Sequence, residues 1–165
     1  MRALLMLALR AIPSASGAQC RLCAPGTGEA ARPPVRPLAI EMQAGLDLGR
    51  ATARGGTGGS ISIDERTSVR RVEGLVDLGG FAVTGSARLT GEPHARVRVS
   101  LPRDVPLVAP DGSVATATDL RADLPLDARL GADGTLSFAF GGRLVVPGGA
   151  SGDFRGRIAI TADYE

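Results

Sequence analysis

Residues 38–48 read LAIEMQAGLDL, with Leu38, Ile40, Met42, Ala44, Leu46 and Leu48 apolar and Glu41, Gln43 and Asp47 set between them. A period of two sends alternate side chains to opposite faces of an extended chain, so the stretch is expected to be a strand with one buried face. The alternation recurs at Ile61 and Ile63; at Phe81, Val83, Ala87 and Leu89; at Val97, Val99 and Leu101; and at Leu136, Phe138 and Phe140. It closes the chain at Phe154, Ile158, Ile160, Ala162 and Tyr164. Shorter candidates lie at 75–78, 105–108, 114–120 and 144–146. Turn chemistry separates nearly all of them: Gly55-Gly56, Gly58-Gly59, Gly79-Gly80, Pro110-Asp111-Gly112, Asp133-Gly134, Gly141-Gly142 and Gly148-Gly149. No stretch of ten residues carries a helical period. Short strands with one apolar face and no crossover helix predict an all-β fold, an antiparallel two-sheet sandwich of immunoglobulin-like type spanning 38–165.

Outward from that domain, residues 19–37 (QCRLCAPGTGEAARPPVRP) hold four Pro and no apolar period, and read as an extended, Pro/Gly-rich N-terminal extension. Residues 1–18 (MRALLMLALRAIPSASGA) combine Arg2, an apolar run from Ala3 to Leu9 and the small residues Ser16 and Ala18. That is the layout of a signal peptide, with cleavage expected after Ala18. The run is too short to span a bilayer, so the mature chain is expected to carry no integral membrane span. Gln19 before Cys20 argues against a lipid-anchored cysteine.

Of the 165 residues, 19 are basic, all of them Arg, against 17 acidic. Arg2 and Arg10 leave with the leader, so 17 Arg face 17 acids in the mature chain. Near neutrality leaves no global field for a polyanion, and nucleic-acid binding is excluded as an expectation. The remaining chain is long enough to bury one two-sheet core without a metal or a disulfide lattice. With 3% aromatic residues, that core is built mainly from Leu, Val, Ile and Ala.

No catalytic constellation emerges. Cys20 and Cys23 form a C-x-x-C pair, but they lie in the Pro-rich extension rather than between a strand and a helix. A passive disulfide, local or between chains, is therefore expected over redox or metal chemistry. His94 has only Glu92 nearby in sequence and no nucleophile at a useful spacing, so it reads as an exposed loop histidine. The Gly55-Gly56-Thr57-Gly58-Gly59 run lacks the Lys and the following helix of a phosphate loop. Asp104, Asp111, Asp119, Asp123, Asp127 and Asp133 lack the spacing of a calcium loop and read as turn formers. No cofactor and no metal are expected. Arg96 and Arg98, Arg155 and Arg157, and Arg88 fall on the polar faces of strands. They mark either a solubilising surface or a face for anionic glycans.

Several blocks in order carry a resemblance: GGSISID (58–64), LVDLGGFAVTGSARLTGEP (75–93), VRVSLP (97–102), DGTLSFAFGGRLVV (133–146) and GDFRGRIAITADY (152–164). Together they resemble the bacterial secreted family known as domain of unknown function 4402, from about Leu38 to the C-terminus. The ending Gly152-x-Phe154-x-Gly156-x-Ile158-x-Ile160-x-x-x-Tyr164 also resembles the terminal strand of spore-coat-protein-U-type and other chaperone-usher pilus subunits. These resemblances imply an exported sandwich with no catalytic residue to carry over. In such pilus subunits an N-terminal extension with alternating apolar residues completes a neighbour's sheet. Residues 19–37 lack that alternation, and 38–48 reads equally as the domain's own first strand. The functional expectation is an exported, non-enzymatic structural or surface-assembly protein, pilin-like, in the periplasm or at the cell surface, with self-assembly or surface-structure partners. The alternative is a binding module that holds anionic glycans on the Arg-bearing face.

Overall fold

The computed structural model describes residues 36–165. The leader, Cys20, Cys23 and the expectations attached to them lie outside the described residues. The strands are β1 (Ala39–Ala44), β2 (Arg50–Ala53), β3 (Gly59–Ile63), β4 (Arg70–Glu73), β5 (Leu75–Gly79) and β6 (Gly85–Thr90). They continue with β7 (Val97–Ser100), β8 (Val105–Val108), β9 (Val114–Ala122), β10 (Thr135–Val146) and β11 (Thr161–Tyr164). All pairings are antiparallel, and no helix occurs among the described residues.

The longest strand, β10, organises the rest. Its first half pairs with β6 from Thr135↔Thr90 to Phe140↔Gly85, and its second half with β3 from Gly142↔Ile63 to Val146↔Gly59. Phe140 is opposite both Gly85 and Ala122 of β9, and Leu144 is opposite both Ile61 and Ala117 of β9. A residue has one neighbour per edge, so β6 and β3 follow one another along one edge of β10 while β9 holds the other. The hand-over falls at Gly141-Gly142. The sequence pattern reads this pair as a turn; the structure places it inside the strand. A Cβ at Gly142 would come within 2.7 Å of the Leu120 side chain, and one at Gly141 within 2.9 Å of the Glu65 nitrogen. The two glycines therefore serve close backbone approach at a bend rather than chain reversal. β9 absorbs the bend with an extra residue, since Gly141 faces Arg121 but Arg143 faces Thr118, and Asp119 in the slip has φ 51°.

β1 continues the sheet beyond β6, β4 lies beyond β3, and β8 lies beyond β9. The separate pair β7–β11 supplies the second layer. Its inward side chains Val97, Val99, Ala162 and Tyr164 pack with Ala87, Leu89, Phe138, Phe140 and Leu130 in the larger apolar cluster. The smaller cluster, around Ala115, Leu144 and Val146, gathers Leu48, Leu75, Leu107 and Phe154 at the other half of β10. The described residues thus form an all-β, antiparallel, two-layer arrangement.

Tyr164 closes one end. Its hydroxyl donates to the Arg36 carbonyl at 2.7 Å and accepts from the Glu92 amide at 2.8 Å, tying the start of β1 and the β6–β7 connection to β11. Tyr164→Phe leaves the part-buried Glu92 N–H unpaired and is expected to cost about 1–2 kcal/mol in urea unfolding. A variant with an unchanged midpoint would show the latch to be idle.

Aspartates shape the turns. Asp111 accepts from the Ser113 amide and hydroxyl, and Asp133 from the Thr135 amide and hydroxyl. These two fulfil the turn-forming expectation. Asp64 does the same with Thr67. Backbone and hydroxyl donors hold the carboxyls of Asp64, Asp111 and Asp133 below the ordinary aspartate value of 3.8, with Thr67, Ser113 and Thr135 as the leading causes. A folded-state value below the unfolded one stabilises the fold above the unfolded value, and that stabilisation is lost as pH falls through the folded values. Melting temperature is therefore expected to stay level from about pH 7 to 5 and to drop below about pH 4. A curve flat to about pH 2 would contradict these turns.

Candidate functional site

An open groove of about 1580 Å³ runs along one side of the fold. Its floor is apolar, formed by Ile61, Ala117, Phe140 of the larger cluster, and Leu144 and Val146 of the smaller. One wall is the chain from Met42 through Leu46 and Leu48 into β2; the other is residues 150–158.

The β2–β5 ribbon flanks the first wall. The end of the ribbon where Arg50 pairs with Gly79 carries one device twice: Asp47-Leu48-Gly49 and Asp77-Leu78-Gly79, where each Asp side chain accepts from the amide of the Gly two residues on, at 2.8 Å in both cases. Gly49 and Gly79 have φ of 74° and 75°, a conformation that favours Gly. Arg70 of β4 clamps the ribbon. Its Nε donates to the Leu48 carbonyl at 2.7 Å, one terminal nitrogen donates to the Arg50 carbonyl at 3.1 Å, and the other pairs with Asp77 at 2.5 Å. That pairing, with the Gly79 amide second, holds the Asp77 carboxyl below its ordinary range. Arg70→Ala removes all three bonds. It is expected to raise amide exchange across β2 and β5 and to cost about 2 kcal/mol, the scale of hydrogen bonds to a charged group. Unchanged exchange in that ribbon would rule out the clamp.

On the opposite wall, Arg155 bridges to Val108 through a reciprocal pair of backbone bonds of 2.9 and 3.1 Å, and pairing resumes only at Thr161↔Ser100. Residues 156–160 between them lie in no strand ladder. Their alternation survives, with Ile158 and Ile160 half-buried and Arg157 and Ala159 exposed. The chain opposite is Leu101-Pro102-Arg103-Asp104, where Pro102 has no N–H to give. A terminal strand over the whole of 154–164 is therefore corrected to β11 alone.

Phe81 is a second correction. The alternation reads it as a strand residue with Val83, but β6 begins at Gly85 and Phe81 stands 91% exposed on the β5–β6 loop, beside the groove with Leu78. An aromatic ring left in water next to an apolar groove is a feature of contact surfaces.

The five arginines singled out by sequence are all exposed but do not converge. Arg88 lies on β6 opposite Glu41. Arg96 and Arg98 are carried by the chain at β7, with Arg98 paired to Glu165 at 2.5 Å and Arg96 beside Arg129. Arg155 pairs with Asp153 at 2.6 Å, which raises its pKa, and Arg157 lines the groove. His94 is exposed, with φ 61°. Among the described residues no group of three or more His, Cys, Asp or Glu is placed to hold a metal, and no helix is long and apolar enough to cross a membrane.

Fold and groove define a class: an antiparallel, two-layer β domain with an open groove, apolar at its floor, between the chain from Met42 to Ala53 and residues 150–158. The chain matches the family described as Domain of unknown function (DUF4402) over residues 38–164 and belongs to it. No curated protein and no solved structure matches the chain.

Proposed function

We propose that the protein is an exported, non-enzymatic structural subunit of immunoglobulin-like, pilin-like build, whose copies associate in the periplasm or at the cell surface. The observation that carries this reading is the groove itself, with an apolar floor, a stretch outside any ladder (156–160) on one wall and the exposed Phe81 and Leu78 at its rim. A groove with an apolar floor and a polar rim, beside backbone outside any ladder, is suited to receiving another polypeptide segment. The leader supports export. The arginines support the glycan alternative less, because Arg88, Arg98 and Arg155 each face a carboxylate.

Fractionation of the native host tests the proposal. Mature protein starting at Gln19 is expected in the periplasmic or surface fraction, with heat-labile ladders on gels. A chain found with its leader in the cytosol, or strictly monomeric at high concentration without surface association, would overturn it.

A further inference from the structure

We propose that Arg96 and Arg129 form a binding site for a phosphoryl group, free or carried as a monoester. The inference stands apart from the association proposed above and uses neither the groove nor its rim. The two arginines are distant in sequence, yet the fold sets them directly opposite one another in an antiparallel bridge. The Val97 amide donates to the Ala128 carbonyl and the Leu130 amide to the Ala95 carbonyl, both at 3.0 Å. These bonds flank the Arg96–Arg129 pair instead of joining it. That is the register in which antiparallel neighbours bring their side chains closest, with Cα atoms about 4.5 Å apart. Like charges so placed repel. Elsewhere the sheets avoid this, for Glu41 stands opposite Arg88 and Asp163 opposite Arg98.

No carboxylate relieves the pair. Among the described residues neither Arg96 nor Arg129 makes an ion pair. Glu165 lies beside Arg96, its amide donating to the Arg96 carbonyl at 3.1 Å, but its carboxylate is held by Arg98 through Nε at 2.7 Å and a terminal nitrogen at 2.5 Å. The platform under the pair is firm, since Val97, Ala128 and Leu130 are all buried. A terminal nitrogen of Arg129 donates to the His94 carbonyl at 3.4 Å, and the His94 amide is itself shared between the Leu130 and Gly131 carbonyls. The Arg129 guanidinium is thereby positioned, while both arginines stay open to solvent. Each guanidinium presents a planar fork of N–H donors that suits an oxyanion. Two permanent positive charges match a phosphoryl group, which carries about −1.5 to −2 near neutral pH and three acceptor oxygens. A carboxylate, with a single negative charge, leaves one of the two cations unmatched.

The test follows the arginine Nε–H signals of the full mature chain by nuclear magnetic resonance. Inorganic phosphate and, separately, glucose 1-phosphate are titrated in at an ionic strength held constant with chloride. The expected result is that the Arg96 and Arg129 signals move together and saturate, while that of Arg88, which faces Glu41, stays in place. Arg96→Gln or Arg129→Gln is expected to weaken binding about tenfold, the loss of one charged hydrogen-bonding partner. Arg96→Glu gives Arg129 a carboxylate across the bridge, so it should abolish saturation without lowering the urea midpoint. Saturation by inorganic phosphate alone assigns the site to the free anion, and saturation by the monoester as well assigns it to phosphoryl groups on larger molecules. Shifts that stay linear, that chloride reproduces, or that persist in Arg96→Glu would overturn the site. Acetate binding as tightly as phosphate would overturn the choice of a phosphoryl group.

Discussion

Gly85→Ala is expected to lower stability by about 3 kcal/mol, the upper end of what a single inserted methyl group costs a packed core. Gly85 is opposite Phe140 across β6 and β10, and a Cβ there would overlap the ring of Phe140. The ring cannot swing away easily, because Phe140 is 1% exposed and belongs to the larger cluster while also lining the groove floor. Phe140→Ala alone removes the ring and should cost about 3–5 kcal/mol. The two changes share one volume, so they should not add. In the double variant the clash is gone, and its loss should be smaller than the sum of the singles by about 1 kcal/mol or more, measured as a double-mutant cycle in urea. Strict additivity would mean that the ring does not rest on the glycine.

Deleting residues 38–48 is expected to abolish folding of the isolated chain. The segment supplies Leu38 and Leu46 to the larger cluster and Leu48 to the smaller, and its absence uncovers Ala87 and Leu89. Three partly buried leucines at about 1.5 kcal/mol each already approach the 5 kcal/mol at the low end of whole-domain stability, before the β1–β6 ladder is counted. The β signature in circular dichroism should vanish and a dye sensitive to apolar surface should bind. A peptide of sequence LAIEMQAGLDL should restore the fold in a saturable manner. A truncated chain that melts where the intact one does would show the segment to be dispensable.

The strands whose apolar rows face a cluster were legible in the sequence. Ala87 with Leu89, Val97 with Val99, and Phe138 with Phe140 alternate because one face of each strand is buried. β2 (Arg50–Ala53) and β4 (Arg70–Glu73) were not legible, since neither RATA nor RRVE carries an apolar row. Their places are fixed by the ladders of β4 to β3 and of β2 to β5, and by Arg70, whose partners lie 7 to 22 residues away. Gly141-Gly142 misled because a glycine needed for close approach and a glycine needed for chain reversal look the same in one dimension. The groove escaped altogether. It joins Met42, Phe140 and Phe154, residues that no local window holds together. The one available cue was the recurrence of Asp-Leu-Gly at 47–49 and 77–79, which marks the Arg50–Gly79 end of the ribbon beside it.

The hand-over at Gly141-Gly142 also bears on how the molecule comes apart. Because one uninterrupted run of twelve residues is shared by both apolar clusters, neither can melt while the other persists without tearing β10 at its middle. Loss of order at either end thus propagates along that spine, and the domain disassembles in a single all-or-none event.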